Sequence, residues 1–189
     1  MPETPDLVVI ARYLQGSVVG RTIVTVRELR PLALRVLTPD GDAHAFCEGR
    51  AITAVSTRAK FLLLTLDERT IAINFMLAGA LRHCAADEPL RKRDYVVFAL
   101  DDGRELRYHD SKGMGKIYLC TDVDTVPGLG DVGPDALDPT LTLDGFRARL
   151  RRHRGEIKGV LTRGALVGGI GNAYADEVLF RAGIYPFRR

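Results

Sequence analysis

The stretch "GGIGNAYADEVLFRAG", residues 168–183, has glycine at three of its first four positions and then a run of good helix formers. A fourth glycine, Gly164, lies just upstream. Glycine lowers helix stability, so this cluster indicates a backbone that turns sharply or approaches another group closely. We therefore expect a tight turn that leads into a helix beginning at about Asn172.

The N-terminus of such a helix is a candidate site for a phosphate group. It presents unpaired backbone N–H groups and a partial positive charge, and glycines just before it would let a phosphate come close. With Asn172 at the entry, the turn is interpreted as a contact with a nucleic-acid backbone. The alternative is that the glycines only solve a packing problem within the protein.

The segment before this turn is strongly basic. Residues 147–163, "RARLRRHRGEIKGVLTR", contain a single acid, Glu156. The basic residues are Arg147, Arg149, Arg151, Arg152, Arg154, Lys158 and Arg163. The formal net charge of the chain is only +3, so the clustering is more informative than the total. A solvated basic helix and a nucleic-acid contact are the two interpretations.

Composition restricts the class of protein. With 189 residues, 46% of them hydrophobic, the chain can bury a core in one large domain or two small ones. The sequence shows neither a long apolar run nor a secretory signal, so we expect no membrane association and a cytoplasmic, nucleoid-associated location. Cys47, Cys84 and Cys120 are far apart and form no C-x-x-C pair, so buried thiols are expected, with no metal site and no cofactor.

The first two thirds of the chain have the pattern of a β-rich domain. Residues 5–16, "PDLVVIARYLQG", predict an amphipathic helix that Gly16 ends. Short β-branched segments follow up to about residue 120, and the turn signals Pro39-Asp40-Gly41 and Asp101-Asp102-Gly103 mark hairpins. The predicted strands are "TIVTVREL", "LALRVL", "HAFCEG", "FLLLTL", "TIAINF", "YVVFAL", "ELRYHD" and "KIYLC".

The last third is predicted to be helical. Residues 124–139 contain six Gly or Pro and no apolar period, which is typical of a linker. Thr142 then caps a helix over residues 143–153, and further helices follow over "EIKGVLTR" and from Asn172 to Arg181. The expected fold is α+β: an N-terminal helix plus antiparallel β-sandwich at residues 1–123, the linker, and a helical domain at 140–189.

Five segments in order resemble the formamidopyrimidine-DNA glycosylase and endonuclease VIII family. The longest, residues 157–186, "IKGVLTRGALVGGIGNAYADEVLFRAGIYP", is similar to the family's helix-two-turn-helix DNA-binding segment, with its G-N-x-Y-x-x-E core. The others are "MPETPD", "RAKFLLLTL", "LRYHDSKGMGK" and "GPDALDP". The resemblance implies a base-excision-repair DNA glycosylase with abasic-site (AP) lyase activity. Its expected partner is double-stranded DNA that carries a damaged base or an abasic site, bound by a monomer.

The resemblance also implies roles for the N-terminal residues. Removal of Met1 would expose Pro2 as a secondary amine, and an α-amino group titrates near pH 8, so part of it is the free base at neutral pH. Pro2 is then the nucleophile that attacks C1′ of the damaged deoxyribose and forms a Schiff base. Glu3 is the general acid and base.

Further site residues follow from the same resemblance. Lys60 matches a lysine that binds the phosphate beside the lesion and is counted with the catalytic group. Asn172 matches an asparagine that contacts a backbone phosphate, and Lys158 of the basic segment is counted as DNA-binding. Leu77, Lys112 and Met114 stand where the family inserts Met, Arg and Phe into the gap left by the flipped nucleotide.

Several positions depart from the family pattern. Asp6 replaces a glutamate, Val8 replaces an acidic residue, and Gly113 replaces an arginine that contacts phosphate. Lys112 lacks the planar fork of an arginine, so we expect looser discrimination of the opposite base. The family's C-terminal finger is expected to be lacking, either in a natural minimal form or because the sequence is a fragment. The alternatives to a glycosylase are a protein that binds damaged DNA and a lyase that acts on abasic sites alone.

Overall fold

The computed structural model describes residues 2–39 and 41–189. Its elements are α1 (Thr4–Val18), β1 (Thr22–Glu28), β2 (Leu34–Val36), α2 (Ala43–Cys47), β3 (Arg50–Ala51), β4 (Ala54–Arg58), β5 (Phe61–Leu66), β6 (Arg69–Asn74), β7 (Gly79–Ala85), β8 (Asp94–Leu100), β9 (Arg104–Asp110), β10 (Lys116–Cys120), a 3-10 turn (Val123–Thr125), α3 (Leu143–Leu150), α4 (Ile157–Thr162) and α5 (Asn172–Ala182).

The strands form a sandwich of two five-stranded sheets, in the orders β3-β1-β8-β9-β7 and β2-β10-β6-β5-β4. Side chains from both sheets, such as Val26, Phe98, Leu64 and Ile73, share one buried core. The predicted α+β fold with a β-sandwich is therefore confirmed. The pairing is mostly antiparallel, but β2 runs parallel to β10.

Helix α1 packs its apolar stripe against this core. Leu7, Leu14 and Val18 are buried, and the side-chain oxygen of Gln15 accepts a hydrogen bond from the backbone N–H of Val55 on β4 at 2.9 Å. The predicted end of the helix at Gly16 is wrong, because the helix continues to Val18. Burial of Val18 stabilises the last turn, and the chain then changes direction at Gly20, whose φ is +86°.

One predicted strand is a helix. The first four residues of the segment "HAFCEG" lie in α2 and the last two follow it. The Asp42 side chain stabilises the start of this helix by accepting the backbone N–H of His44. The Pro39-Asp40-Gly41 signal joins β2 to α2 instead of two paired strands, and Asp40 itself lies outside the described residues. The other hairpin signal is confirmed, since β8 and β9 pair antiparallel around Gly103. The sequence interpretation missed β3, β4 and β7.

The predicted linker, residues 124–139, is packed against both halves of the molecule. Val126 and Leu129 are buried against side chains of the second sheet. Further along, the N–H of Ala136 donates to the carbonyl of Gly168 at 3.1 Å, and the N–H of Gly168 donates to Pro134 at 2.8 Å. The segment thus fixes the glycine turn to the rest of the chain, and the domain boundaries at 123 and 140 stay predictions.

The C-terminal half is helical, as the sequence indicates. Thr142 caps α3 by accepting the N–H of Gly145 at 3.1 Å. Val160 of α4 and Leu179 of α5 lie in a small separate core. Helix α5 ends at Ala182, and the next residue, Gly183, has a left-handed conformation with a φ of +63°. Within residues 2–39 and 41–189, the helices are all too short or too polar to cross a membrane.

Candidate active site and nucleic-acid interface

The carboxylate of Glu3 lies at the N-terminus of α5, 168 residues away in sequence. Its Oε2 accepts the backbone N–H groups of Gly171 at 2.7 Å and Tyr174 at 3.1 Å, and its Oε1 accepts that of Ala173 at 3.0 Å. The side chain is buried. The expectation that these N–H groups await a phosphate is therefore wrong for these three, because the protein's own carboxylate takes them.

This contact explains the glycine turn. A Cβ on Gly171 would collide with the Glu3 carboxyl group, and a Cβ on Gly169, where φ is +90°, would collide with the Thr4 hydroxyl. A Cβ on Gly168 would lie 2.7 Å from the Cγ1 of Val132 and 3.2 Å from the Cβ of Ala59. The glycines thus permit close approach of the protein's own N-terminal segment and of the β4–β5 turn, so the packing alternative accounts for these positions.

Thr4 connects three segments at this junction. Its backbone N–H donates to the carbonyl of Gly169 at 3.2 Å, and its hydroxyl donates to the carbonyl of Ala59 at 3.4 Å. Ala59 has a φ of +52°, which is uncommon for a residue with a side chain. Lys60 directly follows Ala59 in this β4–β5 turn, so the contacts of Thr4 also fix the backbone beside Lys60. Thr4 is a site residue that the sequence does not predict, because a threonine at this position gives no signal that it contacts two distant segments.

Lys60 is half-buried and lies near Glu3. Burial lowers the pKa of its ammonium group, while the charge of Glu3 acts in the opposite direction. The structure thus brings together Glu3 and Lys60, two of the three residues that the sequence assigns to catalysis.

Pro2 is the third residue, and it is partly exposed directly before Glu3 and α1. Met1, whose removal would free the Pro2 amine, lies outside the described residues. The backbone N–H of Glu3 donates to the Asp6 carboxylate at 2.9 Å. The shorter acid at position 6 therefore still fixes the backbone beside Pro2.

Two predicted DNA-binding residues lie on the helical half. Asn172 is the first residue of α5, and its side chain is exposed. Lys158 of α4 is already paired, because its Nζ lies 2.8 Å from an oxygen of Asp176 on α5. Asn172 is therefore free to meet solvent or a ligand, whereas Lys158 would have to share its charge with Asp176.

The basic segment serves two purposes in the structure. Arg149 is partly buried and donates to the carbonyls of Leu166 at 2.9 Å and Ala165 at 3.0 Å, so it supports the turn before α5. Arg151 and Arg152 are exposed. Only part of the segment thus matches the interpretation as a charged surface for nucleic acid.

Leu77, Lys112 and Met114 are brought together at one end of the sandwich. Leu77 lies in the loop from β6 to β7, and the other two lie in the loop from β9 to β10. All three side chains are exposed, Leu77 to 60% and Met114 to 43%. Exposed apolar side chains on adjacent loops are what an insertion into stacked bases requires.

A buried acid, Asp110, organises the second loop. It accepts the backbone N–H groups of Lys112 at 2.9 Å and Gly115 at 2.7 Å. Burial opposes ionisation of Asp110, but the N–H groups of the loop outweigh it and lower its pKa. The sequence motif that contains Asp110 predicts no role for it. Its place two residues after Tyr108 on one strand face, just before a glycine-rich loop, was the available signal.

No group of three or more His, Cys, Asp or Glu side chains that could hold a metal ion is found in residues 2–39 and 41–189. The three cysteines are buried, as expected. Burial raises the pKa of the Cys47 thiol to about 12, so that thiol is not a nucleophile at neutral pH.

The fold and the site define a protein of two halves, in which a β-sandwich with an N-terminal Pro-Glu pair is joined to a helical unit through the Glu3 carboxylate. Comparison with known proteins agrees with this division. The model of the formamidopyrimidine-DNA glycosylase N-terminal domain matches residues 1–117, and the model of the formamidopyrimidine-DNA glycosylase H2TH (helix-two-turn-helix) domain matches residues 132–189.

Relatives and solved structures match along the whole chain. The formamidopyrimidine-DNA glycosylase of Herpetosiphon aurantiacus is 39% identical over 191 residues, which cover 100% of this chain and 69% of the relative. That of Moorella thermoacetica is 37% identical with the same coverage. The Lactococcus lactis formamidopyrimidine-DNA glycosylase, non-covalently bound to DNA that contains an AP site, superposes with a TM-score of 0.87 at 26% identity, covering 99% of this chain and 72% of that one.

A complex of the inhibited Lactococcus lactis enzyme with DNA that contains an N7-benzyl-Fapy-dG superposes with a TM-score of 0.89 at 27% identity. It covers 100% of this chain and 70% of that one. The chain therefore belongs to the formamidopyrimidine-DNA glycosylase family, as its sequence motifs indicate.

Proposed function

We propose that this protein is a base-excision DNA glycosylase with AP lyase activity, and that it acts on duplex DNA carrying a damaged base or an abasic site. The observation that carries the proposal is the position of Glu3. Its buried carboxylate follows Pro2, lies near Lys60 and is fixed by three N–H groups of the helical half. Family membership and the DNA complexes of the structural neighbours support it.

Pro2 is the proposed nucleophile once Met1 is removed. Its secondary amine attacks C1′ of the lesion nucleotide, the N–C1′ bond forms, and the C1′–base bond breaks with a proton delivered to the departing base. The nitrogen, now bonded to C1′, loses its proton. The C1′–O4′ bond then breaks as Glu3 protonates O4′, which opens the sugar ring and gives an iminium ion, the Schiff base of a secondary amine. Loss of a C2′ proton then breaks the C3′–O bond and releases the 3′ phosphate, which cuts the strand.

Glu3 is the proposed general acid and base. Its Oε2 already accepts two N–H groups, whereas Oε1 accepts one. A carboxylate oxygen has two lone-pair positions, so Oε1 keeps one for the transferred proton. Oε1 is therefore the atom that would protonate the sugar ring oxygen, and the three fixed N–H bonds would hold it in place during the reaction.

Lys60 and Asn172 are proposed to hold phosphates on either side of this centre. The first extends from the β4–β5 turn and the second begins α5, so one comes from each half of the molecule. Phosphate contacts give affinity without sequence preference, which suits an enzyme that searches all DNA. Lys158 is a weaker candidate because Asp176 already neutralises it.

Leu77, Lys112 and Met114 are proposed to enter the gap that the extruded nucleotide leaves. An enzyme that works on a base has to take it out of the stack, at a cost of a few kcal/mol. Leucine and methionine side chains can compensate part of this cost by packing between base pairs.

The experiment that tests the proposal is borohydride trapping on duplexes with an abasic site or an oxidised purine. The native chain should give a covalent adduct and excise the base. A form with extra residues joined before Pro2 should give no adduct, because its nitrogen becomes an amide. The same extension placed after Arg189 is the matched control and should react normally.

The other outcomes of this experiment separate the competing functions. An adduct on the abasic duplex without excision of the oxidised base would indicate a lyase for abasic sites alone. A gel shift without any adduct would indicate a protein that only binds damaged DNA. An adduct of undiminished yield from the N-terminally extended form would contradict the assignment of Pro2.

A further inference from the structure

The loops that carry Leu77 and Met114 run side by side between the two sheets. Residues 75–78 connect β6 in one sheet to β7 in the other, and residues 111–115 connect β9 back to β10. The strand register places Gly79 opposite Asp110 in one sheet and Asn74 opposite Lys116 in the other. Both ends of one loop are thus paired with the ends of the other.

The buried hydroxyl of Tyr108 lies between these loops. Tyr108 is fully buried, and its ring stacks on Phe75 with the ring centroids 6.2 Å apart. A Cβ on Gly79 would lie 2.5 Å from its hydroxyl oxygen, and a Cβ on Gly115 would collide with the same oxygen. The tyrosine hydroxyl therefore touches the backbone of both loops, and glycine at each position allows it.

Asp110 adds hydrogen bonds to the same point. One carboxylate oxygen accepts the N–H of Lys112, and the other accepts the N–H of Gly115 at 2.7 Å and lies 3.5 Å from the Tyr108 hydroxyl. The carboxylate is buried and stays ionised because these donors favour the charged form. The Asp110 carboxylate thus fixes the β9–β10 loop at Lys112 and at Gly115, and it also contacts the Tyr108 hydroxyl.

We propose that Tyr108 and Asp110 are positioning residues, which hold Leu77 and Met114 in a fixed mutual arrangement so that the two loops enter the DNA as one rigid wedge. The inference rests on the proposed function, because it needs a base to be extruded. Ordering two mobile loops during insertion would consume part of the energy needed for unstacking. Loops that are already fixed avoid this cost.

The test compares two duplexes, one with an oxidised purine and one with a preformed abasic site. An abasic site has no base to unstack, so it depends less on the wedge. Tyr108→Phe keeps the ring and removes the hydroxyl. It should lower single-turnover excision of the oxidised purine about tenfold and strand cleavage at the abasic site less than about twofold, in keeping with loss of the one hydrogen bond from its hydroxyl to Asp110.

Control variants identify the cause. Tyr118→Phe on β10 removes a hydroxyl away from these loops and should leave both rates unchanged. Asp110→Asn should reproduce the split between the two substrates. In a Leu77→Ala background, where the wedge is already shortened, Tyr108→Phe should have a much smaller effect on base excision, because the two changes act on the same step.

Equal slowing on both substrates, or full additivity with Leu77→Ala, would overturn the inference. If Tyr108→Phe fails to fold, as judged by its thermal transition, Asp110→Asn decides between the same outcomes. A native chain that cleaves neither substrate would instead contradict the proposed function, so the two failures are distinguishable.

Discussion

Replacing Gly171 by alanine tests the contact on which the arrangement of the site depends. Gly171 has a φ of −109° and a ψ of −163°, a conformation that alanine also adopts, so the backbone itself would not be strained. The added methyl group would instead collide with the carboxyl group of Glu3. We therefore expect the carboxylate to be displaced from the N-terminus of α5.

The size of the effect follows from the bonds that would be lost. Glu3 accepts three backbone N–H groups, and a hydrogen bond to a charged group contributes about 1.5–3 kcal/mol. Water can reach the exposed residues Ala173 and Tyr174 and replace part of this, so we expect a destabilisation of about 3 kcal/mol. For a chain of this size, that lowers the midpoint of thermal unfolding by about 6–12 °C.

The assay is urea unfolding of four proteins in a double-mutant cycle: the native chain, Gly171→Ala, Glu3→Ala and the double variant. In the Glu3→Ala background the methyl group has nothing to displace, so Gly171→Ala should cost less than about 1 kcal/mol. Gly16→Ala is the matched control. Gly16 lies inside α1 with open space where its Cβ would be, so this change should stabilise the chain by about 0.5–1 kcal/mol.

The double-mutant cycle separates the collision with Glu3 from any other effect of the methyl group. If Gly171→Ala costs the same with and without the Glu3 carboxylate, the collision is not the cause and the glycine has another purpose. Borohydride trapping by Gly171→Ala should fall along with its stability, since the proposed acid and base would have moved.

Three further outcomes are expected. Asn172→Ala and Lys60→Ala should each reduce the salt dependence of duplex binding by about one unit of log–log slope, while Arg21→Ala, at the far end of α1, should not. Asp110 has a lowered folded pKa, so its stabilisation is present above pH ~4 and is lost as the pH falls below that. The stability deficit of Asp110→Asn in urea should accordingly shrink in acid. Thr142→Ala should cost about 1 kcal/mol in the same measurement, by loss of the α3 cap.

Local signals in the sequence predicted most elements correctly. The Thr142 cap, the Asp101-Asp102-Gly103 hairpin and the start of α5 depend on residues within a few positions of one another, so one segment contains the whole signal. The wrong prediction of a strand at "HAFCEG" also comes from reading local signals. Apolar and β-branched residues near this segment suggest a strand, but the Asp42 cap and the burial of Phe46 favour a helix.

The errors and omissions at the site have a different cause. The glycine turn was interpreted as a phosphate site because its N–H groups are unpaired within the segment, and the acid that pairs with them is Glu3, at the other end of the chain. The pairing of Lys158 with Asp176 was missed for the same reason, since the two residues lie on separate helices. Sequence motifs identified the residues of the site, and only the fold shows which of them neutralise one another.

Mass spectrometry of the adduct that borohydride traps on a duplex with an abasic site identifies the nucleophile. Lys60 is the competing nucleophile, because burial lowers the pKa of its amine and it lies near Glu3. After proteolysis, we expect the deoxyribose remnant to be attached to the peptide that begins with Pro2, at its terminal nitrogen. A remnant on the peptide that contains Lys60, with the N-terminal peptide unmodified, would contradict the assignment of Pro2 as the nucleophile.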